Sequence, residues 1–422
     1  MNRLWKAATL AAVLVSLAVP GCGGSEEAPL VITVDSTADS DSRDGVLTLR
    51  EAILVAVGEL AVADLDSGEA DNARGAPGAE SDDTIVFDVS LFPPSEPAFI
   101  MLVSPLPFLA TGGDSVDGSQ AGVIVDGANQ TFDCFRISSA GNAIKGLHIQ
   151  GCLTAVALGR RAENNIIGGA EEGEGNVISD SDRGVLLAGE GTNSNQVIGN
   201  LIGTDDSGTA PRGNRTGVMI GSGARDNVIG GSSIGELNII SGQTVIGVAI
   251  SGNDNLVIGN YIGTDITGTA SVSNRMEGIW VTDGAQGNVI GGALPGEGNV
   301  ISGNDLFGVS ISGAGTSANV VKGNYIGVDA TGAAALGNQH GVEISFGAED
   351  NIIGGGAEGE GNIISANNVG VLLRGSSTRG NVVEGNYIGT DASGETVLRN
   401  AQAISIIEGA DDNTIGPNVI KD

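Results

Sequence analysis

Asn255–Asp265 reads NLVIGNYIGTD. The string returns as NVVKGNYIGVD from Asn319, as NVVEGNYIGTD from Asn381 and more loosely as NQVIGNLIGTD from Asn195. Each copy consists of short apolar runs of Val and Ile cut by Asn and Gly. A helix needs continuity where these breakers stand, so the runs read as short strands ending in turns.

The pattern extends well beyond these copies. The small residue that opens each G-V-x-I string falls at Gly122, Ala155, Gly184, Gly217, Gly247, Gly278, Gly308, Gly341, Gly370 and Ala403. Successive gaps are 33, 29, 33, 30, 31, 30, 33, 29 and 33 residues. Long and short rungs alternate through most of the array, so the true unit is a pair of about 62 residues. A rung of about 30 residues is short for a four-stranded propeller blade, and the breakers exclude an α-solenoid. A parallel β-helix with three strands per rung fits, its rungs about 4.8 Å apart. In the rung from Gly278 the strands are GIWV, NVIG from Asn288 and NVIS from Asn299. Short rungs put their loop after the second of these strings, as in GGALPGEG; long rungs put it after the third, as in TDITGTASVSN.

Composition agrees. Gly makes up 70 of 422 residues, aromatic residues only 3% and charged residues 17%, which suits thin stacked rungs better than a bulky core. The formal net charge of −32 makes nucleic acid and anionic membranes poor partners.

Residues 1–22 read as an export signal: Arg3 and Lys6 precede the apolar run Ala7–Val19, which is too short to span a bilayer. The run ends in LAVPGC, which resembles the lipobox of bacterial lipoproteins and implies lipidation of Cys22, with plain secretion as the alternative. Residues 23–29 then form a tether. Such a protein belongs to the bacterial cell envelope or surface, touching membrane only through its lipid. In an exported chain the remaining pair, Cys134 and Cys152, forms either a disulfide or two buried thiols.

Residues 30–121 precede the regular repeats, which occupy residues 122–422. Val31–Asp39 reads as a strand and Leu47–Val57 as a short amphipathic helix, with Thr48 as its N-cap. An acidic insertion, Ala61–Asp83, leads to the strand TIVFDV. Leu49, Arg50, Glu51, Ala52 and Ile53, followed by Asp83, Thr84 and Ile85, resemble the CSLREA-type N-terminal module of bacterial surface proteins. Leu47 and Thr48 replace the Cys and Ser of that motif. The resemblance implies an exported protein with a right-handed parallel β-helix behind a capping helix. The expected fold is therefore all-β: a right-handed parallel β-helix of about ten to twelve rungs with a short N-terminal helix over its open end.

Recurrent Asn residues (Asn165, Asn195, Asn227, Asn255, Asn288, Asn319, Asn351, Asn381 and Asn413) resemble the Asn ladders of the pectate-lyase-like superfamily, a structural role. Two acidic series also recur. Asp205, Asp265, Asp329 and Asp391 follow the NYIGT-type string, and Glu174, Glu236, Glu297 and Glu360 belong to G-E-x-N. The Asp loops either hold Ca²⁺ through oxygen ligands or close turns through their own backbone.

The most individual positions lie on the outward side of the G-V-x-I strands. Trp280, Phe307, His340, Glu343 and Arg374 fall within four consecutive rungs and form the candidate ligand-binding face. His340, Glu343 and Arg374 are also the catalytic candidates. Pectate lyases, which this architecture resembles, use an Asp-rich calcium cluster with an Arg or Lys base, and no such set can be carried over residue by residue. Three functions follow: a non-catalytic glycan-binding or adhesive surface protein, a polysaccharide lyase or hydrolase, and a structural spacer. A partner covering the C-terminal end of the stack is a further expectation.

Overall fold

The computed structural model describes residues 29–75 and 82–421. The export signal, Cys22 and nearly all of the tether lie outside the described residues. From Thr84–Phe87 onward the chain winds through three parallel sheets, visited in turn on every rung. The first begins at Val31–Val34 and ends at Thr414–Ile415; the second runs from Ala98–Met101 to Val419–Ile420, and the third from Phe108–Leu109 to Gln402–Ile407. Among the described residues eleven strands make up the third sheet, so eleven full rungs close and a twelfth begins. The coil is right-handed, as the strand twist requires of parallel crossovers.

The core consists of straight columns of β-branched side chains. Ile178, Ile202, Ile240, Ile262, Ile301, Ile326, Ile364 and Ile388 form the column of the second sheet. Ile and Val alternate in that of the first, from Ile167 to Val383. All are fully buried, and each burial stabilises by about 1.5–3 kcal/mol relative to exposure. The stiff χ1 of Val and Ile suits a column in which every neighbour along the stack is the same shape.

Three polar columns hold the corners. The sequence-recognised column is a continuous amide ladder from Asn142 to Asn413, with Nδ2–H···Oδ1 distances of 2.8–3.1 Å. A second runs through Asn176, Asn200, Asn238, Asn260, Asn299, Asn324, Asn362, Asn386 and Asn418. A third joins Asn214 and Gln243, then Asn274 to Asn400. In each ladder the side-chain oxygen also accepts the backbone N–H of the residue one rung before, as Asn255 Oδ1 does for Asn227. These bonds satisfy donors at turns that sheet pairing cannot reach.

The two loop types form two further stacks. In the loops between the second and third sheets, backbone bonds run directly from one long rung to the next: Ile266 N–H to Gly208 O (3.0 Å), Ala330 N–H to Gly268 O (2.9 Å) and Ala392 N–H to Gly332 O (3.0 Å). Each therefore passes over the short rung between.

At the N-terminal end, α1 (Leu49–Ala56) carries the expected Thr48 cap and a capping box with Glu51. Leu49 and Ile53 are buried over the strands Val31–Val34 and Thr84–Phe87. Arg50 fixes the helix in place through Asp39 (2.8 and 2.9 Å) and the carbonyls of Ser104 and Pro105 (both 2.8 Å). The acidic insertion is not plain loop. It contains the turn Val62–Asp64, the short helix Ser67–Asp71 capped by Asp66, and Ala73–Arg74, which pairs antiparallel with the first strand. Cys134 and Cys152 are joined by a disulfide between successive rungs, with Cα atoms 5.8 Å apart.

Candidate functional site

The third sheet is widest where its strands lengthen, at Phe307–Ser312, His340–Ser345 and Val369–Arg374, beside Glu277–Val281. Parallel in-register pairing sets its outward residues in rows. One row reads Glu277, Phe307, His340, Val369; the next reads Trp280, Ser310, Glu343, Leu372; a third includes Ser312, Ser345 and Arg374. Rungs repeat every ~4.8 Å, so long side chains in these rows lie against one another.

The Phe307 and His340 rings stack at 5.2 Å and 20°. The Trp280 indole leans across one rung and donates from Nε1 to Ser312 Oγ at 2.9 Å, with Ser310 and Ser312 buried beneath it. Trp280 is itself half-buried. The Arg374 guanidinium lies 5.3 Å over the Phe346 ring and pairs with Glu408 at 3.2 Å. Glu343, on the outward side of its strand, is nonetheless only 4% exposed. Burial pushes its carboxyl pKa up, opposed by the positive charge of Arg374 and by Ser345. Burial chiefly, and secondarily the Glu343 charge, also raises Glu277, whose Oε2 is buried without a hydrogen-bond partner. His340 is held below the usual imidazole range by burial and by Arg374, and its Nδ1 has no partner either.

The structure thus gathers the five sequence candidates on adjacent strands and adds Glu277, Ser312, Ser345 and Glu408. Glu277 was legible as an acid set between the apolar Ile246 and Phe307 in its row. Ser312 was not, because its role comes from Trp280 crossing the rung, and Ser345 was not, because its part depends on the burial of Glu343 beside it. Chemically, the patch offers an aromatic surface, a neutral imidazole and two carboxyls that hold protons more readily than free ones.

The acidic loops are occupied by their own chain. Asp265 accepts from Thr267 Oγ1 (2.9 and 2.8 Å) and from the backbone N–H of Thr269 and Ala270 (both 3.0 Å). Asp205, Asp329 and Asp391 repeat the arrangement. These bonds lower all four carboxyl pKa values, that of Asp391 to about 2, chiefly through Ser393 and Thr396. The turn-closing reading therefore describes the geometry seen. Among the described residues, no three His, Cys, Asp or Glu side chains are grouped to hold a metal. Glu236, Glu297 and Glu360 likewise cap their own turns, accepting from the N–H of Ser233, Leu294 and Ala357. Lys322 pairs with Glu360 (3.2 Å), and Lys145 with Glu174 (2.7 Å).

These features define a right-handed parallel β-helix with one chemically distinct patch on its third sheet. Comparison with protein-family models and with curated proteins gives no match. Among solved structures, the chain is similar to the Dettilon tailspike protein (16% identity, TM-score 0.43), covering 77% of this chain and 62% of the tailspike, so it spans less than two thirds of that protein. It is also similar to the A-module of the Azotobacter vinelandii mannuronan C-5 epimerase AlgE4 (13% identity, TM-score 0.49, covering 79% and 81%). The pectate lyase Pel9A is a third (12% identity, TM-score 0.39, covering 87% and 81%).

Proposed function

We propose that the chain is an exported surface protein, anchored by lipid at Cys22, that holds a glycan on its third sheet without cleaving it, in an adhesive or binding role. The observation that carries this reading is the patch of Trp280, Phe307 and His340 beside Glu343 and Arg374, on a sheet whose corresponding positions elsewhere are largely small or aliphatic. Aromatic faces pack on the C–H faces of sugars, and the neighbouring polar groups can bond their hydroxyls. The CSLREA-like segment and the LAVPGC string support export to the bacterial surface.

A second reading is glycoside hydrolysis. It is favoured by Glu277 and Glu343, two carboxyls of raised pKa two rungs apart, one with a buried unpartnered oxygen. In such a mechanism one carboxylic acid protonates the leaving oxygen and the other carboxylate activates water.

The test is to incubate the full-length protein with acidic and neutral polysaccharides, following both retention and new reducing ends. Retention without new ends, weakened in Trp280→Ala, is the expected result. New reducing ends abolished by Glu277→Gln would establish the second reading. Neither retention nor cleavage would leave the chain as a spacer.

A further inference from the structure

A different face carries a repeated cleft. The two loop stacks flank the second sheet, and between them its outward residues read Tyr261, Val300, Tyr325, Ile363, Tyr387. A tyrosine therefore recurs on every second rung, about 10 Å apart along the stack. A cleft of about 480 Å³ lies over Tyr261 and Tyr325, with Ile234, Leu294, Pro295 and Ala330 on its rims. A second cleft of about 470 Å³ repeats the position over Tyr387.

Three features distinguish the central cleft from mere spacing between loops. Ile234 is 85% exposed and Leu294 65% exposed, which is unusual for large aliphatic side chains on adjacent loops. In the flanking loops the Ile234 position is taken by Glu172 and Glu358, so loop folding does not require an apolar residue there. Among the described residues lining the two clefts there is no Lys or Arg; Glu358 and Glu384 line the second, Glu236 and Glu297 stand in the loops of the first, and Glu360 is paired with Lys322.

The geometry points to a second binding site: a groove along the second sheet that takes an extended, uncharged polysaccharide, one disaccharide for each pair of rungs. An extended chain of β-linked sugars repeats over a length close to two rungs, which sets alternate rings over successive tyrosines. The surrounding carboxylates repel an acidic polymer, and apolar rims suit sugar C–H faces. A peptide added as a strand finds no edge here, because each second-sheet strand within the groove is already paired on both sides. This site does not depend on the third-sheet patch.

The experiment measures binding of the full-length protein to cello-oligosaccharides of increasing length, to galactomannan, to polygalacturonate and to a proline-rich peptide. Affinity rising stepwise with each added disaccharide is expected on the neutral series, with polygalacturonate weak. Ile234→Glu installs the residue that two of its three sister loops already carry and keeps the fold; it should weaken neutral-glycan binding about tenfold, as should Tyr325→Ala, whereas Gln286→Ala, at an exposed turn outside both faces, should leave it unchanged. Four outcomes would overturn the assignment: no binding to any neutral glycan, equal binding of polygalacturonate, binding unaffected by both variants, or preference for the peptide.

Discussion

Replacing Asn255 with Ala takes one step out of the first amide ladder. Asn255 Oδ1 accepts the backbone N–H and the Nδ2–H of Asn227, both at 3.0 Å, and its own Nδ2 donates to Asn253 O (2.9 Å) and Asn288 Oδ1 (3.1 Å). In the variant the Asn227 side chain keeps Thr192 O (3.0 Å), and Asn288 Oδ1 keeps the N–H of residue 255 (2.9 Å). The group left with no acceptor is the backbone N–H of Asn227, a fully buried residue. An orphaned buried donor costs about 1–3 kcal/mol and each further bond lost about 0.5–1.5, so ~2–4 kcal/mol is expected once the turn relaxes. Rungs contact only their neighbours, so the loss is local, and hydrogen exchange at Asn227 should accelerate about 100-fold with a lowered urea midpoint. The exposed residue Gln339, changed to Ala, serves as the control. Agreement of the two variants within ~0.5 kcal/mol would refute the assignment of energetic weight to the ladder. Asn255→Asp sharpens the test, because Asp114 already stands next to Asn142 at the ladder's upper end, donating its N–H to Asn142 Oδ1 (3.2 Å). Burial, with Asp83 and Asp82, pushes the Asp114 carboxyl up to about 6. A carboxyl raised in this way favours the fold below its unfolded pKa, near 4, and loses that contribution as pH rises through the folded value. Asn255→Asp should therefore approach the parent at pH 4 and fall below it at pH 7.

By the same sign, Asp114→Asn should raise the thermal midpoint at pH 7 and leave it nearly unchanged at pH 4. Glu343→Gln should behave likewise, since burial raises Glu343 too; a midpoint equally affected at both pH values would show that the substitution acts through packing instead. Chelator should leave the melting curve unchanged, because the Asp205, Asp265, Asp329 and Asp391 carboxylates are held by their own loops; a calcium-dependent rise would reopen those loops as ion sites. Gly354→Ala should destabilise by more than ~1 kcal/mol in urea titration, because φ is +96° and a Cβ would lie 1.9 Å from Glu384 O.

The rung period, the three strands and the capping helix were legible because each leaves a local mark: Val and Ile runs between Asn and Gly, and a Thr-x-x-Glu box. Two of the three ladders escaped notice for a different reason. Asn238 and Asn260 belong to strings of unlike spacing, and only the stacking of long on short rungs brings them together at 2.9 Å. The patch was read from the individuality of Trp280, Phe307, His340, Glu343 and Arg374, yet the burial of Glu343 and the part of Glu277 depend on side chains one and two rungs away. The tyrosine cleft stayed hidden because its walls come from both loop types, each read in sequence only for its acid.

The hydrogen bonds that run from loop to loop over the intervening short rung bear on how such a gene can change length. Loss of a single rung would leave Gly268 O and the N–H of Ala330 one step apart instead of two, and would set a long loop against the wrong kind of turn. Loss or duplication of a pair leaves every loop opposite its own kind and every tyrosine in its column. The heritable unit of growth is therefore two rungs, and a deletion series made in steps of one should alternate between folding and failing.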